Sequence, residues 1–182
     1  IGVYSDLPVQ STVDPRTFQP TSAWVFMQQL EELFEVEMIE DLEKGELNDL
    51  DLLLIVHPKN LSEPALFSVD QYVLSGGKLL AFVDPLAELD QPGPGTPGVP
   101  SKSSDLNAIT KKWGVVLREQ KILGDPEVAL LVGGADGRPV RHLGILGFSQ
   151  EYLGQDNVVT SSIETVNMAT AGIFDLDTSL ET

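Results

Sequence analysis

The chain has no cysteine and only two histidines, His57 and His142. Without thiols there is no disulfide framework, no thiolate nucleophile and no Cys-based metal site. The two histidines lie in different halves of the chain with no metal-ligand spacing around them. Cations are scarce as well. Eleven Lys and Arg stand against 28 Asp and Glu, a net charge of −17 that repels phosphate backbones and makes nucleic acid a poor partner. No run reaches the roughly 18 apolar residues a membrane span needs, and no signal peptide is visible. The first residues, Ile1 to Tyr4, already read as a strand, so the chain is expected to be a piece of a longer protein.

What the chain does have is apolar content, 42% of 182 residues, enough for the core of a single domain over 1–182. Its pattern is clearest between Asp51 and Asp90. Leu52 to Val56 form a continuous apolar run of strand length, as in a strand covered on both faces of a parallel sheet. Ser62 is placed to cap a helix, Pro64 sits in its first turn, and Ala65, Leu66, Val69, Tyr72 and Val73 follow at helical spacing. Gly76-Gly77 ends that helix, and Leu79 to Val83 read as the next strand, closing on Asp84-Pro85. Upstream, Thr21 or Ser22 is expected to cap a helix with Ala23, Phe26, Met27, Leu30, Leu33 and Phe34 inward, and Val36 to Ile39 a short strand. This order predicts an α/β fold around a parallel sheet.

The second half is plainer. Residues 91–104 hold four prolines and three glycines, which excludes helix or central strand and predicts a mobile surface loop. Ser104 is expected to cap a short helix over 105–112, ended by Trp113-Gly114. Around the turn 133–139 the pattern becomes that of an antiparallel hairpin, Val128 to Val132 with Val140 to Leu146. Val158 to Ile163 read as a strand, Glu164 to Thr170 as a short helix or irregular segment, and Ile173-Phe174 as a last strand. No internal repeat is present.

Catalytic motifs fail when tested by residue. Gly76-Gly77-Lys78 lacks the first Gly and the final Ser or Thr of a phosphate loop and runs from helix to strand, the reverse of the required order. Gly147-Phe148-Ser149-Gln150-Glu151 lacks the closing Gly of a nucleophile elbow. Asp175, Asp177 and Ser179 begin like a calcium loop, but Leu180 stands where Gly is required. No cofactor motif and no metal site are expected. His57, Lys59, Asn60, Asp84 and Glu88 remain, all at the carboxyl edge of two adjacent strands, where open α/β folds bind ligands. Three readings of that set stay open: a polar-ligand site, acid-base chemistry, or bracing of the loops themselves.

These same residues carry a resemblance. The His57-Pro58-Lys59-Asn60 turn, the Asp70 to Leu80 helix-to-strand junction and the Phe82-Val83-Asp84-Pro85 strand end resemble the soluble domain of the uncharacterised ABC-transport auxiliary family. Ser104-Asp105-Leu106, Lys112 to Val115 and Asn167 to Gly172 do so too. That family includes the gliding-motility auxiliary component GldG. The resemblance implies a three-layer, mostly parallel sheet of flavodoxin-like or class I glutamine amidotransferase-like fold, extended by the C-terminal antiparallel hairpin and without the amidotransferase cysteine. It further implies an extracytoplasmic (periplasmic) domain, held by flanking membrane helices and working with an ABC permease and ATPase. Expected with it is a non-catalytic role in protein interaction or substrate presentation, with a small-molecule or carbohydrate-binding module as the alternative and a hydrolase as a third reading.

Overall fold

The computed structural model describes residues 1–13, 18–44, 47–90, 101–134 and 137–179. Most of the proline-glycine stretch, 91–100, therefore lies outside the described residues, and with it that part of the expected mobile loop.

Four parallel strands form the central sheet: β1 (Gly2–Ser5), β4 (Glu37–Met38), β5 (Leu53–Val56) and β6 (Leu79–Phe82), in the order β4-β1-β5-β6. A minor ladder of β2 (Thr12–Val13) with β3 (Pro20–Thr21) occupies the β1 to β4 crossover. The continuous apolar run has the consequence its composition requires: every residue of β5 is buried. Its side chains alternate between two cores. Leu53 and Ile55 pack with Ala65, Val69 and Tyr72 of α2 (Glu63–Leu74). Leu54 and Val56 pack with Val3 and with Met27 of α1 (Val25–Leu33) on the other face. The sheet thus carries a helix on each side.

Helix α2 starts and stops where the sequence predicts. The Ser62 hydroxyl accepts from Ala65 N–H at 3.2 Å, Pro64 takes an early position, and Gly76 ends the helix at φ +95°. Helix α1 departs from expectation. It begins at Val25 behind Trp24, with no side-chain cap, because Thr21 is engaged in the β2-β3 ladder and exchanges bonds with Thr12.

The antiparallel elements do not extend the parallel sheet. The expected hairpin is present as β8 (Ala129–Gly133) and β9 (Pro139–Ser149), but with β10 (Thr165–Ala169) it makes a separate three-stranded sheet. Here two expectations are overturned. Val158 to Ile163 is a series of turns with Val158 and Val159 88% and 70% exposed, whereas the Glu164 to Thr170 segment supplies the strand. Pairing with β9 decides this: Val166 and Met168 align opposite Phe148 and Leu146, partners that local pattern cannot reveal. β7 (Val115–Leu117) pairs with β11 (Phe174–Leu176), and Gly172 packs between Leu117 and Pro85, where a Cβ would meet them at 2.9 and 3.1 Å. This contact ties the C-terminal elements to the loop after β6.

Candidate functional site

In rank of sequence among the parallel strands the sheet order is 2-1-3-4, so the winding direction reverses between β1 and β5. At such a reversal the loops leaving the two strands turn to opposite faces and open a crevice at the carboxyl edge. Asp6 follows β1, His57 to Asn60 follow β5, and Asp84 to Asp90 follow β6.

The backbone of His57 remains in the sheet, donating to Phe82 O at 2.8 Å, while its φ turns to +50°. That left-handed turn costs energy for a residue with a Cβ and directs the ring under the loops, where it is only 2% exposed. Nδ1 lies 2.9 Å from Ser104 Oγ and Nε2 lies 3.4 Å from Asp90 Oδ2. Ser104 Oγ also accepts the Asp84 N–H at 2.8 Å, and Ser104 N–H returns a bond to Asp84 O at 2.7 Å. One proton assignment satisfies all of these: Nε2–H donates to the carboxylate, Ser104 O–H donates to Nδ1, and the serine oxygen accepts from the backbone. The hydroxyl is spent on both sides.

Lys59 completes the arrangement. Its ammonium is 2.5 Å from Asp90 Oδ2 and 2.7 Å from Ser101 O, and its backbone N–H donates to Asp6 Oδ2 at 2.6 Å. The last bond crosses the β1/β5 reversal. Burial alone would push the Asp90 carboxyl upward, but hydrogen bonds from Lys59 and His57 and the charge of Lys59 outweigh it and hold the group below its ordinary range. Beside Asp6, burial foremost and then the neighbouring carboxylate push the Tyr4 phenol up to about 12.

Of the five residues expected here, His57 and Lys59 meet through Asp90, which sequence reasoning did not single out. Asp84 lies nearby but aims its carboxylate at its own turn, accepting Leu86 N–H at 2.7 Å. Glu88 contributes its backbone carbonyl to Lys102 Nζ at 3.1 Å. Asn60 is exposed, held at φ +50°. Ser104 does not cap a helix as expected. The following helix, α3 (Asn107–Thr110), starts three residues later, because Ser104 is drawn inward to His57 and Asp84. The described end of the expected mobile loop is likewise fastened, with Ser103 and Ser104 buried and Lys102 O accepting Ala87 N–H at 2.9 Å. The site roles of Ser101, Ser104 and Asp90 leave no mark in the sequence because their partners lie 31 to 47 residues away in the chain. Asp6 had a signal, its place just after the first strand.

Outside this clasp lies a cavity of about 420 Å³ lined by Lys59, Asn60, Ser101, Ser103, Asp105 and Gln120 among others. Its wall is polar and nearly without aromatic surface, suited to hydrogen bonding with a small polar molecule. Asn60 and Gln120, two of its lining residues, both hold left-handed backbones, at φ +50° and +54°. Among the described residues no group of three or more His, Asp or Glu side chains is arranged to hold a metal ion.

The sequence profile of the family described as an ABC-type uncharacterized transport system matches residues 1–181. The chain belongs to this family. In the ABC-type transport auxiliary family, then, the carboxyl-edge clasp of His57, Lys59, Asp90 and Ser104 sits within the matched region, as do the segments that carried the resemblance in sequence. No curated protein and no solved structure matches the chain. Among the described residues no helix is long and apolar enough to cross a membrane.

Proposed function

We propose that this domain serves its ABC-type transport system by binding rather than by chemistry, as a non-catalytic, extracytoplasmic module that contacts the permease and ATPase assembly or presents substrate to it. The observation that carries this reading is the commitment of the carboxyl-edge polar groups to one another. With His57 Nδ1 as acceptor, the Ser104 hydroxyl both donates and accepts within the fold, the Asp90 carboxylate is neutralised by Lys59, and the Asp84 carboxylate caps its own turn. Ser104, His57 and Asp90 are linked in the order of a nucleophile, its base and an orienting acid, but His57 and Ser104 are each only 2% exposed and the serine oxygen already accepts the Asp84 N–H, so the hydroxyl is closed to a substrate. The 2-1-3-4 strand order supports a flavodoxin-like sheet, the topology shared with amidotransferase-like domains. A GldG-like role and anchorage by membrane-spanning segments elsewhere in the natural protein belong to the same proposal and rest on the resemblance in sequence to that family.

Affinity purification of the natural protein from solubilised membranes of its host tests the reading. An ABC permease and its ATPase are expected to co-purify; recovery of neither overturns it.

A second reading is favoured by the left-handed Asn60 and Gln120 on the 420 Å³ cavity: a small polar or carbohydrate ligand bound there, with Lys59 and Asn60 as contacts. Under it, a panel of sugars shifts the amide resonances of Asn60, Ser101 and Gln120. Silence at all three across the panel removes it.

A further inference from the structure

At the opposite, amino-terminal edge of the parallel sheet lies a larger concavity of about 840 Å³. Its floor is Leu30, Leu33 and Phe34 from the end of α1, with Leu50 and Leu52 from the approach to β5. Leu33 is 75% exposed and Phe34 53%, although the apolar stripe of a helix ordinarily turns such side chains inward. Glu35, Glu37, Asp49 and Asp51 stand around this floor, against the single lysine Lys78. None of the four carboxylates takes part in the ion pairs found among the described residues, which lie at Asp41, Asp90 and Asp175. The carboxyl end of α1 adds to the same negative field, since its last turn has no basic residue to offset the helix dipole.

An apolar floor inside a predominantly acidic rim marks an interaction surface. The rim selects for positive charge and the floor for hydrocarbon, so a bare cation or a purely hydrophilic tail satisfies only half of it. With a net charge of −17, a second copy would bring its own carboxylates against this rim, and nucleic acid its phosphates. We infer that this groove docks a basic amphipathic segment of a partner protein. Apolar side chains of that segment rest on Leu33 and Phe34 while its Lys or Arg heads reach Glu35, Glu37, Asp49 and Asp51. Such docking holds whether or not the partner belongs to a transport system.

The test is fluorescence anisotropy with a labelled short peptide of alternating Lys and Leu, and with its Glu-Leu counterpart. Saturable binding of the first alone is expected, weakening as salt rises from about 50 mM to about 500 mM. A Glu35→Gln, Glu37→Gln, Asp49→Asn, Asp51→Asn variant and a Leu33→Ser, Phe34→Ser variant are each expected to lose affinity about tenfold. All six positions are surface residues, and circular-dichroism melting confirms that each variant folds. Neutralising four remote exposed acids, Glu127, Glu151, Asp156 and Glu164, is expected to leave binding unchanged. No saturable binding overturns the assignment, as does equal loss in the remote variant or unaltered binding in both groove variants. A dimer of the wild-type chain in sedimentation that the Leu33→Ser, Phe34→Ser variant abolishes gives the groove to a second copy and overturns it too.

Discussion

Tyr72 lies across Gly77, so that a Cβ built on the glycine would stand 2.5 Å from Cε2 and Cζ of the ring. The phenol is held in turn by the carbonyls of Leu50 and Lys78, each 3.2 Å from its hydroxyl. One side chain of α2 thereby sets the junction into β6 and the approach to β5, the two strands whose ends form the clasp. Gly77→Ala is expected to cost about 1–3 kcal/mol through overpacking, since the ring cannot withdraw without giving up the hydrogen bond its one hydroxyl proton shares between the two carbonyls. Urea denaturation measures it, and a change under 0.5 kcal/mol, roughly the effect of an ordinary surface substitution, would refute the close packing.

Ser104→Ala deprives the Asp84 N–H of its acceptor and His57 Nδ1 of its partner in a buried setting. Leaving such groups unsatisfied costs about 1–3 kcal/mol. Equilibrium denaturation reports the loss, and faster exchange of the Asp84 amide is expected beside it.

The Lys59 to Asp90 pair, with side chains 18% and 16% exposed, is sheltered but not dry. Lys59→Met is expected to destabilise on the order of 2 kcal/mol, between the limits for surface and fully buried pairs. Asp90 carries a pH signature as well. Its folded carboxyl titrates below the ordinary 3.8, so its contribution is in place above that value and is lost as pH falls through the lower folded value. The wild-type protein should therefore lose stability more steeply than Asp90→Asn below pH 3.8. Parallel acid limbs would refute the clasp.

Tyr4 provides a spectroscopic test at the other end of the pH scale. Burial and the adjacent Asp6 favour the neutral phenol, raising it from 10.0 to about 12. As pH climbs between these values the unfolded chain gives up its proton first, and the folded state loses stability. In a phenolate absorbance titration, the amplitude near pH 12 is expected to fall in Tyr4→Phe relative to the wild type.

The fold was legible wherever burial leaves a local imprint. β5 is apolar without interruption because both its faces are covered, and α2 carries its own start and stop in Ser62, Pro64 and Gly76. Where an element is half exposed and owes its form to a partner, the imprint fades. The residues of β10 have no strong preference of their own and become strand by pairing with β9, while the apolar Val158-Val159 finds no partner and stays in turns.

The candidate site divides in the same way. Composition and order alone determined that no thiol chemistry or Cys-based metal site exists and that His57, Lys59 and Asp84 stand at strand ends on one edge of a sheet. Only the tertiary structure decided what those residues do there. Hydrogen bonds reach a few ångströms whatever the distance along the chain, and it is folding that brings Asp90 to Lys59, Ser104 to His57 and Asp6 across the reversal between β1 and β5. An edge that reads in sequence as a set of available polar groups is, once folded, a clasp in which His57, Lys59 and the backbone of Asp84 already have partners.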